Sequence, residues 1–472
     1  MKLLIEQMNP TAKPYAVVAL CVYDAGDMAD VPMSASAALA QQRIALRGDL
    51  LDFVAAPQWG EVESPALRYR ADHWLLIEDG RIAGAQAGDA PLDESWARHD
   101  HRGCLILPGF IDTHVHSPQL DVIASYGSGL LDWLKTYTFP AERRYADLDE
   151  AHAGAARFLD ALFAHGTTSA VVFPTVHKHS ADALFAAAQQ RGMRLIAGKV
   201  LMDRHAPDGL RDDVDQAARD CADLIDCWHG KDRLAYAVTV RFAPCSTPEQ
   251  LAMAGRLCTS FPGVYMQTHL AESRDEVAWV RELFPEARSY LDVYDRAGLL
   301  NARGVFAHGI RLDDDDRAAL RDAGAQIAHS PSSNLFLGSG LFDWRAAEAA
   351  AVPVSVATDV GGGTSLSMLR TLADAYKVQA MAGERLTAWK ALHASTLGAA
   401  QALGLSREIG SLSVGCAADV CVWDWAVGAV AERRLEVAQG LHERVFAWTT
   451  LGDERNLVSA RVAGVLRYER GM

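Results

Sequence analysis

Between Leu105 and Leu403 the sequence alternates strand-like and helix-like runs eight times, and this alternation restricts the fold more than any other feature. The strand-like runs are Leu105–His116, Thr168–Phe173, Leu195–Met202, Ala235–Phe242, Val264–His269, Gly304–His308, Ala325–His329 and Val354–Asp359. Between them lie helical stretches such as Ala151–Ala164, Asp212–Trp228 and Arg274–Leu283. Runs such as Val171-Val172-Phe173 are apolar without alternation, as expected of parallel strands covered on both faces. Eight β-then-α units in succession predict an α/β fold, a (β/α)8 TIM-like barrel spanning residues 105–407. Short β runs occur on either side, among them His73–Ile82 with a hairpin turn at Glu78-Asp79-Gly80-Arg81, Ile409–Leu412, Ala418–Asp424 and Val458–Tyr468. Residues 41–104 and 408–472 are therefore expected to meet as one small β-sandwich domain built from both chain ends, since neither is large enough alone.

The net charge of -15 argues against a nucleic-acid backbone or an anionic membrane as partner. No apolar run approaches the length of a membrane span. The eight cysteines are scattered and form no CxxC pair, which points to reduced thiols in the cytoplasm. Residues 1–40 are unlike the rest, and Asp27–Ala40 is rich in Ala, Ser and Met. They are expected to form a loosely attached extension, or a translated leader upstream of the real start.

In a barrel, chemistry collects at the C-terminal ends of the strands. The first strand ends in His114-Val115-His116, whose imidazoles share one face because strand side chains alternate. The fifth ends in His269, with Glu272 three residues on; the sixth ends in His308 and the eighth in Asp359. Four histidines and two carboxylates thus converge on one rim. A catalytic metal site holds its ion with neutral histidines and a carboxylate and keeps one position open, and His114, His116, His269 and Asp359 can supply that set. Glu272 is near enough to move protons without being a ligand. His308 can hydrogen-bond a developing charge.

The stretch Pro108-Gly109-Phe110-Ile111-Asp112-Thr113-His114-Val115-His116 resembles the first-strand signature of the amidohydrolase superfamily. Within it, Leu130–Glu142, Arg241-Phe242-Ala243-Pro244-Cys245-Ser246, His269–Val277 and Thr358–Gly363 resemble the motifs of the guanine deaminase family. The resemblance runs from about residue 44 to the C-terminus. It implies a zinc enzyme converting guanine and water to xanthine and ammonia. It implies one zinc ion per chain on His114, His116, His269 and Asp359, although three histidines and an aspartate also suit iron or another divalent ion. Asp359 would also shuttle protons, Glu272 would protonate a ring nitrogen, and His308 would stabilise the attacking oxygen. Gln119, Arg241 and Phe242 match base-recognition positions, and His269, Glu272 and Asp359 would also face the base. Leu130–Tyr137 is expected to cover the base as a lid. The resemblance also implies a homodimer. Two alternatives stay open: the same chemistry on another aminated heterocycle (another aminopurine, a pterin or a triazine), and a non-catalytic barrel acting as a scaffold.

Several tempting residues are read otherwise. Lys199 falls on the third strand, not the fourth, so it does not predict a lysine-bridged second metal. His177 and His179 are expected to pack or face solvent, and His329 to support the site without being a ligand. Asp313–Asp316 is expected to open a helix at its positive dipole end. Gly361-Gly362-Gly363 lacks the Lys-Ser/Thr of a phosphate loop and predicts a tight turn. Cys245 has no second cysteine in the pattern of the other zinc deaminase fold. The leader reading makes a definite prediction: the intact mass of natively expressed protein falls short of the value for Met1, and a mass matching Met1 rejects it.

Overall fold

Two sheets organise the structure, a computed structural model that describes residues 43–127 and 129–471. The expected extension at residues 1–40 lies outside the described residues. In chain order the strands are β1 (Arg43–Phe53), β2 (Leu67–Glu78), β3 (Arg81–Ala87), β4 (Ala97–Pro108), β5 (Phe110–His116), β6 (Thr167–Phe173), β7 (Arg194–Ala197), β8 (Val200–Leu201), β9 (Leu234–Val240), β10 (Tyr265–Leu270), β11 (Gly304–His308), β12 (Gln326–His329), β13 (Val354–Val356), β14 (Val420–Asp424), β15 (Leu457–Val462) and β16 (Val465–Glu469).

The first sheet joins both chain ends in the order β16-β15-β14-β4-β1-β2-β3. The hairpin at Glu78–Arg81 is present, with Asp79 and Gly80 both in the left-handed region that such a two-residue turn requires. Ile409–Leu412 is a turn rather than the expected strand. The buried Asp52 carboxylate accepts from Leu412 N at 2.7 Å and from Ser411 Oγ at 3.1 Å, so the backbone is held by a side chain instead of a ladder. Two helices, Ala429–Glu436 and Leu441–Leu451, stand between β14 and β15 and carry no signal strong enough to have been foreseen.

The second sheet is the barrel. Strands β5, β6, β7, β9, β10, β11, β12 and β13 are neighbours in that order and all parallel, with β8 continuing β7 alongside β9. Ile111, Val171, Ile196, Ala237, Val305 and Ala328 form one buried cluster, while their sequence neighbours, such as Val172 and Ile327, join the larger core with the helices. The expected strands match closely, with one informative difference. Leu105–Pro108 belongs to the end sheet, where it pairs with β14, and only Phe110–His116 enters the barrel.

Gly109 is the handover point. Its N–H donates to Asp419 O at 2.8 Å, and a Cβ there would lie 2.2 Å from Thr168 Oγ1. No side chain fits, so the chain can pass from one sheet to the other only at glycine. Trp423 on β14 packs against Phe110, ring centroids 5.6 Å apart, and ties the end sheet to the start of β5. Gly109→Ala should therefore destabilise the fold by roughly 1–3 kcal/mol through overpacking. Because β5 carries His114 and His116, metal content should fall with the melting temperature. An unchanged melting temperature would show that Thr168 yields at little cost.

Candidate active site

The barrel closes at the residues proposed as ligands. No ladder joins β13 to β5; instead Asp359 N donates to His114 O at 2.9 Å and His116 N donates to Val360 O at 2.8 Å. Below them the buried Asp112 carboxylate accepts from Thr358 N at 3.1 Å and from His114 N at 3.3 Å, and also from Thr358 Oγ1. Burial pushes the Asp112 carboxyl up to about 6 against these hydrogen bonds. Sequence reasoning passed over Asp112. Its signal was an acidic residue inside the apolar run Phe110–Val115, where a carboxylate persists only if fully hydrogen-bonded.

The other elements deliver their side chains by register. In the β10–β11 ladder His269 is level with Ala307 and Leu270 with His308, so both histidines reach the same rim. His308, Ala271 and Asp359 all have left-handed backbones, with φ of 71°, 47° and 50°. Non-glycine residues adopt this conformation at a cost, and it recurs at active sites, where the surrounding fold imposes it.

Four of the expected residues come together. One donor atom each from His114, His116, His269 and Asp359 lie within 4.8 Å of one another. His114 Nε2 is 3.1 Å and His116 Nε2 is 3.3 Å from Asp359 Oδ1, and the Nε2 atoms of His116 and His269 are 3.2 Å apart. Ligands on the edges of a tetrahedron with metal bonds of ~2.0–2.1 Å are roughly 3.3 Å apart. His269 Nδ1 donates to Arg241 O at 2.6 Å, which fixes the tautomer and turns the Nε2 lone pair toward the cluster. His114 Nε2 is buried without a hydrogen bond of normal angle. Burial pushes His116 down to about 3 and His269 well below the usual histidine range, the neighbouring imidazoles adding to it, so both rings are neutral. Burial pushes Asp359 up, but His114, His116 and His308 outweigh it and hold the carboxyl well below its usual range. Neutral imidazoles, one ionised carboxylate and an orphaned ring nitrogen fit a divalent metal.

His308 and Glu272 lie beside this set. His308 Nε2 is 3.5 Å from Glu272 Oε2 and 3.7 Å from Asp359 Oδ2, and its Nδ1 pairs with Asn334 Oδ1 at 2.8 Å. Burial, reinforced by Asp359, pushes Glu272 up to about 8, which keeps a proton on it near neutrality. Ser339 Oγ donates to Glu272 Oε1 at 2.8 Å, and Glu276 accepts from Glu272 N at 2.8 Å. Ser339 and Glu276 were not foreseen; only the capping box of the helix Arg274–Leu283 marked Glu276 in the sequence.

A cavity opens beside the cluster. It is lined by His116, His269, Glu272 and Asp359 of the cluster and its surroundings, by Gln119, Arg241 and Phe242, and by the apolar side chains of Leu130, Trp133, Leu134 and Leu337. The stretch expected as a covering loop is helical: Leu130–Trp133, a wide π-type turn at Leu134–Thr138, then Phe139–Arg143. The remaining tempting residues stay outside the ligand cluster. Lys199 Nζ donates to the Asp212 carboxylate and to Val200 O. His179 Nε2 pairs with Tyr145 O at 2.8 Å, and His177 stacks on His179. His329 stacks on Phe342 with centroids 4.6 Å apart. Asp313 caps the helix Asp314–Ala323, and Gly363 N turns back to Asp359 O.

Residues 105–465 match the model of the amidohydrolase family. The chain is 43% identical to the guanine deaminase of Escherichia coli strain K12 over 429 residues, which is 90% of this chain and 98% of that one. The crystal structure of guanine deaminase from Bradyrhizobium japonicum superposes with a TM-score of 0.87 at 31% identity, covering 91% of this chain and all 100% of the other. A guanine deaminase from C. acetobutylicum, solved with guanine in its active site, superposes with a TM-score of 0.81 at 26% identity, covering 90% of this chain and 100% of that chain. The ligand geometry makes a direct prediction. His269→Ala removes one of four donors and should strip the metal, read as moles of metal per chain, while the circular dichroism spectrum is retained; full metal content would remove His269 from the set.

Proposed function

Because the chain belongs to the amidohydrolase family, we propose that it deaminates guanine with water, giving xanthine and ammonia at the barrel rim. The observation that carries this reading is the union in one cavity of a metal-type cluster, a carboxyl kept protonated by burial, and a polar wall of Gln119 and Arg241 beside the ring of Phe242. A scaffold would have no use for a buried, strained cluster of this cost.

His114, His116, His269 and Asp359 would hold one zinc ion, or another divalent ion of similar preference. When bound, the ion acidifies water and makes a nucleophile available near pH 7. Glu272 delivers a proton to the ring nitrogen beside the amino-bearing carbon, as a neutral carboxyl can. Asp359 passes one proton from water to the departing amino group, which leaves as ammonia, and the remaining proton of the added hydroxyl returns to Glu272 as the carbonyl of xanthine forms. His308, fixed through Nδ1 on Asn334, keeps Nε2 toward the reacting oxygen. Arg241 and Gln119 bind the heteroatom edge of the base and Phe242 packs on its face. Leu130, Trp133 and Leu134 shut out bulk water from above.

The same reading places the enzyme in purine catabolism in the cytoplasm. No disulfide joins the seven described cysteines, in keeping with a reducing compartment, and no helix among the described residues is long and apolar enough to cross a membrane. It is read as a homodimer on family resemblance.

Ultraviolet spectra of guanine incubated with the protein should turn to those of xanthine with matching ammonia. Ammonia from a pterin, a triazine or another aminopurine in place of guanine would keep the chemistry and replace the substrate. Glu272→Gln should retain the metal and lose about 10²-fold or more in turnover, since a positioned proton donor is worth that much. Wild-type turnover in that variant would reassign the acid. Arg241→Ala should raise KM for guanine with metal content intact; an unchanged KM would take Arg241 out of recognition.

A further inference from the structure

Both polar residues of the base-recognition wall lean on a third that the reaction scheme does not use. Glu142, on the helical turn Phe139–Arg143, is fully buried. Its carboxylate accepts from Arg241 Nη1 at 2.7 and 2.8 Å and from Gln119 Nε2 at 3.0 Å. Gln119 Oε1 in turn accepts from Gly361 N at 3.1 Å. The amide is thus held between a partner that only accepts and one that only donates. Turned over, it would set its oxygen against the carboxylate and its NH₂ against the Gly361 N–H, so one orientation alone is stable. Arg241 has one nitrogen committed to Glu142, which leaves the rest of its fork to the cavity it lines. The Arg241 guanidinium lies over the ring of Phe139, from the same turn, 5.3 Å from its centroid.

We propose that Glu142 is a positioning residue that sets substrate specificity, by locking the Gln119 amide in one orientation and cancelling the charge of Arg241 so that the wall accepts a neutral purine and disfavours an anionic one. This rests on the guanine reading above. A lone buried guanidinium attracts anions. Paired with a buried carboxylate it keeps its directional donors and loses its net charge. The product of deamination, xanthine, ionises more readily than guanine, so the pair also favours release of product over its retention as an anion. The pair reaches from the end of β9 to the covering turn, so the same contact that orients the donors also seats the roof.

The test is a KM and inhibition series on the metal-loaded enzyme, with hypoxanthine and xanthine as inhibitors in mildly alkaline buffer, where the first is neutral and the second an anion. Glu142→Gln should raise KM for guanine about tenfold or more, since hydrogen bonds to a charged group are lost. It should lower kcat less than it raises KM. It should shift the ratio of inhibition constants toward xanthine by about tenfold or more, because Arg241 is left uncompensated. Glu142→Asp keeps the charge but shortens the reach. It should raise KM while holding the inhibitor ratio near that of the parent, and it carries the test should the glutamine variant fail to fold. An inhibitor ratio unchanged in Glu142→Gln, or shifted equally in both variants, overturns the charge role. A guanine KM within about twofold of the parent in Glu142→Asp overturns the positioning role. No guanine turnover by the parent overturns this inference and the proposed function together, whereas an active parent with indifferent variants overturns this one alone.

Discussion

The structure depends on how its barrel is closed. Seven neighbouring strand pairs are joined by ordinary parallel ladders, but the eighth seam, between β13 and β5, is made by the residues that also form the site. Asp359 and His114 share a backbone hydrogen bond, His116 reaches Val360, and Asp112 ties Thr358 to His114 from below. A buried carboxylate receiving three donors is stable where an unpaired one would not be. Closing the barrel and gathering the candidate metal ligands are therefore one event. The left-handed backbones of Asp359 and His308 persist because the surrounding contacts leave them no alternative.

Burial then sorts the titratable groups into roles. Taken out of water, imidazoles lose their protons and carboxyls keep theirs unless cations intervene. His116 and His269 become neutral donors, while Glu272 holds a proton. Asp359, crowded by imidazoles, stays ionised. Two carboxyl groups that flank the same imidazole, His308, thus end in opposite states. Away from the histidine cluster the same logic governs the polar wall of the cavity. There Arg241 is buried in company with Glu142, and that pairing holds the guanidinium in place.

The outcome also shows which signals a sequence carries. Strand ends were legible because β runs stop at polar residues, and His114, His116, His269 and Asp359 were all found that way. Gly304–His308 and Arg274–Leu283 were placed to the residue, since each has sharp turn or cap chemistry at its ends. The covering segment at Leu130–Tyr137 was seen but read as loop, because its π-type turn has no periodicity to detect. Asp112, Glu142 and Ser339 were passed over for one shared reason. Each acts through a partner distant in sequence, such as Thr358 for Asp112 and Arg241 for Glu142, and alone looks like any acidic or hydroxyl residue.

The sequence by itself determined the eightfold βα alternation, the rim on which the histidines and acids fall, and the chemistry those residue types can perform. These are properties of local pattern, set by the two-residue period of strands and the polar residues that end them. Only the tertiary structure decided that Leu105–Pro108 leaves the barrel for the end sheet, that Glu142 stands behind Gln119 and Arg241, and which carboxyl keeps its proton. Those outcomes depend on burial and on pairing across long stretches of chain, and neither exists until the chain has folded.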